Sequence, residues 1–260
     1  MRNFTVFLIL PLLLGIFLIG CGKSPTTPTD KGTLIVSLTD APAEFQEVNI
    51  TFSEISAHID EQWITVRGEP ITVNLLEWNN GQSIVIGTAE VPAGHYTQIR
   101  LKIDNAQVVV NGESQSVTVP SGAQTGLKLV SQFTIPAGST FELIIDFDAN
   151  SSIFITGPPN NSNGYILKPT IRVISKAITG SISGTVTNPD NPSIAYAIVE
   201  DDTVTSTPVD KNSGVFMLTF LPEGTYTVSI KDILNKSFVV NYLEVVVGSG
   251  HDLGMITLQQ

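Results

Sequence analysis

From Gly32 to the C-terminus almost every apolar stretch alternates with period two, and this pattern leaves little room for anything but β-sheet. Successive side chains of a strand point to opposite faces, so an alternating run buries one face and wets the other. Leu34, Val36 and Leu38 share a face; so do Val48, Ile50 and Phe52, and then Ile55, Ala57 and Ile59. Thr97, Ile99, Leu101 and Ile103 alternate with Gln98, Arg100, Lys102 and Asp104, and Phe141, Leu143, Ile145 and Phe147 repeat the pattern. Helical periodicity is hard to find here, with one short turn expected over Asn74 to Trp78. At 42% hydrophobic and 14% charged residues, the chain can build a core and is too apolar to be disordered throughout. The expected fold class is all-β.

A recurring turn punctuates the strands. It occurs as Val91-Pro-Ala-Gly94, Ile135-Pro-Ala-Gly138 and Leu221-Pro-Glu-Gly224, each followed by an aromatic residue: Tyr96, Phe141 and Tyr226. Proline presets φ at the second position of a type I turn and glycine suits the fourth, so each copy should feed a strand. One alternating series closes over Ile174 to Thr179 and another opens at Gly180, with its own turn signals at Asn188-Pro-Asp-Asn-Pro192. Two β-sandwich domains in series are expected, over residues 32–177 and 178–260.

Upstream, Arg2 precedes an apolar run from Phe4 to Gly20, and Leu18-Ile19-Gly20-Cys21 closes it with the only cysteine in the chain. A basic start, an apolar core and small residues before a cut describe a secretory signal. The closing tetrapeptide resembles the lipobox of bacterial lipoproteins. That resemblance implies a signal peptide over residues 1–20 and Cys21 as a lipidated N-terminus, carrying a diacylglyceryl group and an N-acyl chain such as palmitate. Two or more acyl chains anchor a protein stably, each buried methylene contributing about 0.8 kcal/mol. The alternatives are an uncleaved anchor, for which roughly 17 residues is the lower limit, and an unpaired thiol in an exported chain. Residues 21–31 are small, polar and proline-containing, as a flexible tether is. Gly22, not aspartate, follows the cysteine. The lipoprotein resemblance then implies placement in the bacterial cell envelope, at the outer membrane where there are two.

Two further resemblances cover the rest. Gly32-Thr-Leu-Ile-Val-Ser-Leu-Thr-Asp-Ala-Pro42, Val91-Pro-Ala-Gly-His-Tyr-Thr-Gln-Ile-Arg-Leu101, Val119-Pro-Ser-Gly-Ala-Gln-Thr-Gly-Leu-Lys-Leu129, Phe141-Glu-Leu-Ile-Ile-Asp-Phe-Asp-Ala149 and Leu167-Lys-Pro-Thr-Ile-Arg-Val173 resemble the bacterial lipoprotein domains grouped as DUF4382. That family implies no activity. Gly180-x-Ile-x-Gly184-x-Val186, Ala197-Ile-Val199, Gly214-Val-Phe216-x-Leu218 and Leu221-Pro-x-Gly224-x-Tyr226-x-Val228 resemble the carboxypeptidase regulatory-like, transthyretin-type sandwich, with Asp210-Lys-Asn-Ser departing from its usual approach to Gly214. Such sandwiches are grouped with carbohydrate-binding-like folds, an analogy that implies a sugar as ligand.

The chemistry of the chain is sparse. With 24 acidic and 13 basic residues the formal net charge is −11, which repels phosphate backbones and argues against nucleic acid as a partner. His58, His95 and His251 form no zinc-binding spacing, and neither a Gly-x-Ser-x-Gly elbow nor a P-loop occurs. No cofactor is expected. Trp63 and Trp78 are the candidates for stacking on a sugar ring. Asp146 and Asp148 share one side of a strand and could ligate calcium with Asp40, but calcium needs six to eight oxygens. The preferred reading makes them structural charges facing solvent or paired with Arg100 and Lys102, with no metal. The function expected is a lipid-anchored, non-catalytic binding or structural module with a glycan or another envelope protein as partner. The alternative is an envelope hydrolase assembled from scattered polar residues.

Overall fold

The structure, a computed structural model, describes residues 30–157 and 164–260, so Cys21 and the tether up to Thr29 lie outside the described residues. The chain is all-β, as its alternation predicts. Its first half contributes β1 (Lys31–Asp40), β2 (Glu47–Ile59), β3 (Gln62–Arg67), β4 (Ile71–Asn74), β5 (Ile84–Pro92), β6 (Gly94–Val110), β7 (Glu113–Thr118), β8 (Leu127–Ile135), β9 (Thr140–Phe147), β10 (Ile153–Thr156), β11 (Gly164–Leu167) and β12 (Ile171–Ser175). These form a four-stranded sheet in the order β12-β9-β1-β5. They also form an eight-stranded sheet in the order β10-β11-β7-β6-β2-β3, with β4 on β2 and β8 on β6. The inward faces of the two sheets share one core, in which Leu34, Val36, Leu38, Leu143, Ile145 and Phe147 meet Ile50, Phe52, Ile99 and Leu101. β1 is central, antiparallel to β5 and parallel to β9.

Two long strands differ from the sequence pattern in a single way. Val48, Ile50 and Phe52 are buried on even positions and Ile55, Ala57 and Ile59 on odd ones, yet all belong to the 13-residue β2, whose register against β6 shifts around Phe52. A bulge inserts one residue and so exchanges the two faces. β6 shifts likewise between Tyr96 and Gln98, which puts Tyr96 in the core and leaves Thr97 half-buried, bonded to His58, not on the buried face expected for it.

The second half contributes β13 (Thr179–Val186), β14 (Ser193–Val199), β15 (Asp202–Pro208), β16 (Val215–Pro222), β17 (Gly224–Asp232), β18 (Ser237–Val245) and β19 (Gly250–Ile256). They pair as β16-β13-β19 and β15-β14-β17-β18, around a core that includes Ile182, Ala197, Phe216, Leu218, Val228 and Ile256. Between the halves, Lys176–Ile178 is a single 3-10 turn leading directly into β13. The expected turn near Asn74 is also a 3-10 turn, Leu75–Glu77.

Two of the three Pro-Gly turns carry a tyrosine that fastens its own corner. Tyr96 Oη donates to Pro92 O at 2.7 Å and Tyr226 Oη donates to Pro222 O at 2.9 Å, each reaching back four residues. The hydroxyl satisfies a carbonyl that the turn takes out of the ladder, while the ring fills the core. The middle copy has Phe141 and no such bond; there Ser139 Oγ donates to Pro136 O at 2.7 Å.

Candidate functional site

The two halves meet along the outer face of the sheet β12-β9-β1-β5. Alternation along β9 sends Phe141, Leu143, Ile145 and Phe147 into the first core, and therefore sends Glu142, Ile144 and Asp146 the other way. Sequence alone gives that outer face to solvent. In the structure the second half covers part of it: Ile144 and Ile174 pack against Phe220 in a small cluster of their own. Asn80, in the loop before β5, reaches across to edge strand β16, accepting from Met217 N at 2.6 Å and donating through Nδ2 to Val215 O at 3.5 Å. Its side-chain amide thus stands in for a neighbouring strand. Its backbone N–H donates to Thr207 Oγ1 at 3.0 Å.

This covering corrects the expectation for Asp146. The residue is buried, and its partner is Arg172 on the adjacent β12, directly opposite it in register. Arg172 donates to Asp146 Oδ2 through Nε at 3.0 Å and Nη2 at 2.6 Å, and through Nη1 to Phe220 O at 3.2 Å. Arg172 thus holds Asp146 on one side and the second half's Phe220 on the other, so this ion pair ties the halves together. Arg100 and Lys102 instead both bind Glu54, at 2.7 and 2.6 Å. Despite Arg172, burial outweighs pairing and lifts the Asp146 carboxyl above its ordinary range.

Asp40 is buried more deeply, at the end of β1. Its Oδ1 accepts from Ala149 N at 2.9 Å, while its Oδ2 has no hydrogen-bond partner. Desolvation raises its carboxyl well above the usual value, and the nearby charges of Asp146 and Asp148 push the same way. Asp148 is half-exposed and caps the short helix α1 (Ala149–Ser152), its Oδ1 accepting from Ser151 N at 2.8 Å. The three candidate carboxyls are thus neighbours, but Asp146 is held by arginine. Among the described residues no group of three or more His, Cys, Asp or Glu is placed to hold a metal ion.

The sign of the pH effect follows from the raised carboxyls. A carboxyl whose folded pKa lies above its unfolded value binds its proton more tightly in the native state. Its stabilising contribution is complete below about pH 4, the ordinary carboxyl range, and is lost as pH rises through the folded value. Asp40→Asn keeps the Oδ1 acceptor for Ala149 and cannot ionise. Urea denaturation at pH 4.5 and 7.5 should therefore show a smaller loss of stability with rising pH in the variant than in the parent; equal losses would show that Asp40 does not titrate in this window.

Beside these groups a cleft of about 620 Å³ opens between the halves. One wall is Pro42 to Glu44, Asp148, Asn150, Ser151 and Thr170 to Arg172; the other is Ile194 and Tyr196 of β14 with Thr203 to Ser206 of edge strand β15. The volume falls within the range of ligand sites, and such sites favour seams between domains. Hydroxyl-bearing and apolar side chains share the lining, and Tyr196 is its aromatic side chain. The tryptophans lie elsewhere. Trp63 is on the outer face of the eight-stranded sheet, with the Arg100 guanidinium 4.4 Å above its ring and the His58 ring 5.0 Å away. Trp78 packs against the first core and its carbonyl accepts from Asp40 N and Thr39 Oγ1.

A two-sheet core joined to a second two-sheet core, with a hydroxyl-lined seam, defines an all-β protein built around its inter-sheet packing. The chain belongs to the family described as Domain of unknown function (DUF4382), whose model matches residues 31–169. No curated protein matches it. Among solved structures, the Bacillus anthracis TIE protein is 14% identical, with 88% of this chain aligned to 34% of that one at a TM-score of 0.24. The chain therefore spans about a third of that protein's length. GBS52, the minor pilin of Streptococcus agalactiae, is 11% identical over 87% of this chain and 95% of its own, at a TM-score of 0.22. The fimbrial anchor protein Mfa2 from Porphyromonas gingivalis is 12% identical over 80% and 82%, at 0.20. Nothing about this chain's role follows from likenesses of this degree. No helix among the described residues is long and apolar enough to cross a membrane.

Proposed function

We propose that this is a non-catalytic envelope protein, held to the membrane by lipid on Cys21, that binds a glycan in the cleft between two independently folded β-sandwich domains. The cleft carries this reading. Hydroxyls from Ser151, Thr170, Thr203, Thr205 and Ser206 line it beside Tyr196, a combination suited to the hydroxyls and apolar faces of a sugar. A binding role fits better than a catalytic one because neither perturbed carboxyl is open to a ligand: Asp40 is sealed behind the floor and Asp146 is held by Arg172. The seven strands of the second half, packed as three against four, support its likeness to the transthyretin-type sandwich. The lipobox likeness of Leu18 to Cys21 supports the anchor.

Full-length protein in detergent should bind members of a glycan array, and the binding should fall when Tyr196 is replaced by alanine. An array with no bound glycan, from protein that retains its β-sheet circular dichroism, would refute the ligand class. Metabolic labelling with a fatty-acid analogue should mark the parent and spare Cys21→Ser; equal labelling of both would remove the anchor.

A further inference from the structure

The cleft's charges are unequally divided, and this narrows the ligand. Arg172 is the one cation among its lining residues, and all three guanidinium nitrogens are engaged, two by Asp146 and one by Phe220 O. What remains to meet a ligand is acidic. Glu44 stands exposed at the rim and Asp148 half-exposed on the wall, neither within salt-bridge distance of a cation among the described residues. Behind the floor a chamber of about 10 Å³ shares Asp146, Thr205 and Ser206 with the cleft and is also lined by Asp40, the buried carboxyl whose Oδ2 has no partner. A ligand bearing carboxylate, sulfate or phosphate would enter against the charges of Glu44 and Asp148 and meet no free donor cation. A neutral one would gain only hydroxyl contacts.

Resting on the glycan reading above, we infer that the cleft takes a sugar carrying a protonated primary amine, a deacetylated amino sugar, with Asp148 receiving the ammonium. Asp148 is suited to this. Its Oδ1 is fixed by Ser151 N, so the carboxylate is oriented before a ligand arrives, and charge-assisted bonds are the strong ones. Ser151 and Thr170 flank it; the Thr170 hydroxyl donates to Ser151 O at 3.1 Å and so offers its lone pairs to a ligand hydroxyl.

The experiment is isothermal titration of the full-length protein in detergent with a glucosamine oligomer and with the same oligomer N-acetylated, at about pH 6, where a primary amine is protonated. The amine form should bind about tenfold tighter, a gap that one ion pair at a partly exposed site can supply. That gap should shrink as salt is raised past about 0.15 M, where the Debye length falls below about 8 Å. Asp148→Asn should close most of the gap while keeping the helix cap, which asparagine provides as well as aspartate. Glu44→Gln, at an exposed position remote from the cap, should narrow it further. Equal or tighter binding of the acetylated oligomer overturns the amine preference and leaves the glycan reading standing. Heat from neither oligomer, with the protein folded, overturns both. Tighter binding of the amine form that Asp148→Asn does not weaken overturns the assignment to Asp148.

Discussion

Arg172→Ala is expected to destabilise the protein by about 2–4 kcal/mol, the loss seen when one partner of a buried ion pair is removed, reduced because the arginine is partly exposed. The Arg172 side chain retains 24% of its surface and Asp146 only 8%, so the deletion leaves an uncompensated carboxyl under the second half. It also removes the donor to Phe220 O, one of the bonds that cross between the halves. Asp146→Asn should cost less, because it removes the buried charge and keeps an acceptor for the guanidinium. The double variant Asp146→Asn with Arg172→Met should recover at least half of the loss. Urea denaturation of the three variants checks the order; a loss below about 0.5 kcal/mol for Arg172→Ala would place the pair among ordinary surface bridges.

Gly214→Ala should be comparably damaging, at about 2–5 kcal/mol, with left-handed backbone strain and overpacking adding together. Gly214 has φ +74°, and a Cβ built on it would stand 2.1 Å from Val186 O, a backbone atom that cannot swing aside. The same glycine accepts from Val186 N at 2.8 Å, so relieving the clash breaks the contact that closes the turn onto β13. Calorimetry gives this variant a second use. If the halves are separate domains, as we propose, only the transition of the second should move down. Both halves moving together as one transition would show that the seam makes them a single cooperative unit.

The architecture was legible because burial imposes a period of two on every strand with one wet face, and Leu34 to Leu38 or Phe141 to Phe147 could hardly be read otherwise. The bulges were half-legible. The sequence shows the exchange of faces between Phe52 and Ile55 but not the continuity of the backbone across it. Of the site only the carboxyls Asp40, Asp146 and Asp148 were legible, not the walls around them. Its walls come from segments as far apart as Pro42 and Ser206, and the burial of Asp146 depends on a second half docking over a face that alternation marks as wet. Asp146 and Arg172 are 26 residues apart, and only the antiparallel register of β9 and β12 puts them opposite each other. One signal of the docking was Ile144, an apolar residue between Glu142 and Asp146 on the polar side of β9, which packs against Phe220. Asp40 gave a fainter one, as a carboxyl closing an otherwise buried strand.

The position of β1 carries a mechanical consequence. It is the first described strand after the N-terminal segment, yet it lies inside its sheet, bonded along its length to β5 on one side and β9 on the other. A pull transmitted through the residues before Lys31 therefore does not peel an edge strand open one bond at a time. It loads two ladders in shear, including the parallel one with β9 that runs from Thr33–Thr140 to Asp40–Phe147. Resistance to force is governed by the unfolding barrier and not by equilibrium stability. Tension from the N-terminal side thus meets the most strongly braced strand of its sheet before it reaches the segment Pro42 to Glu44 that walls the cleft.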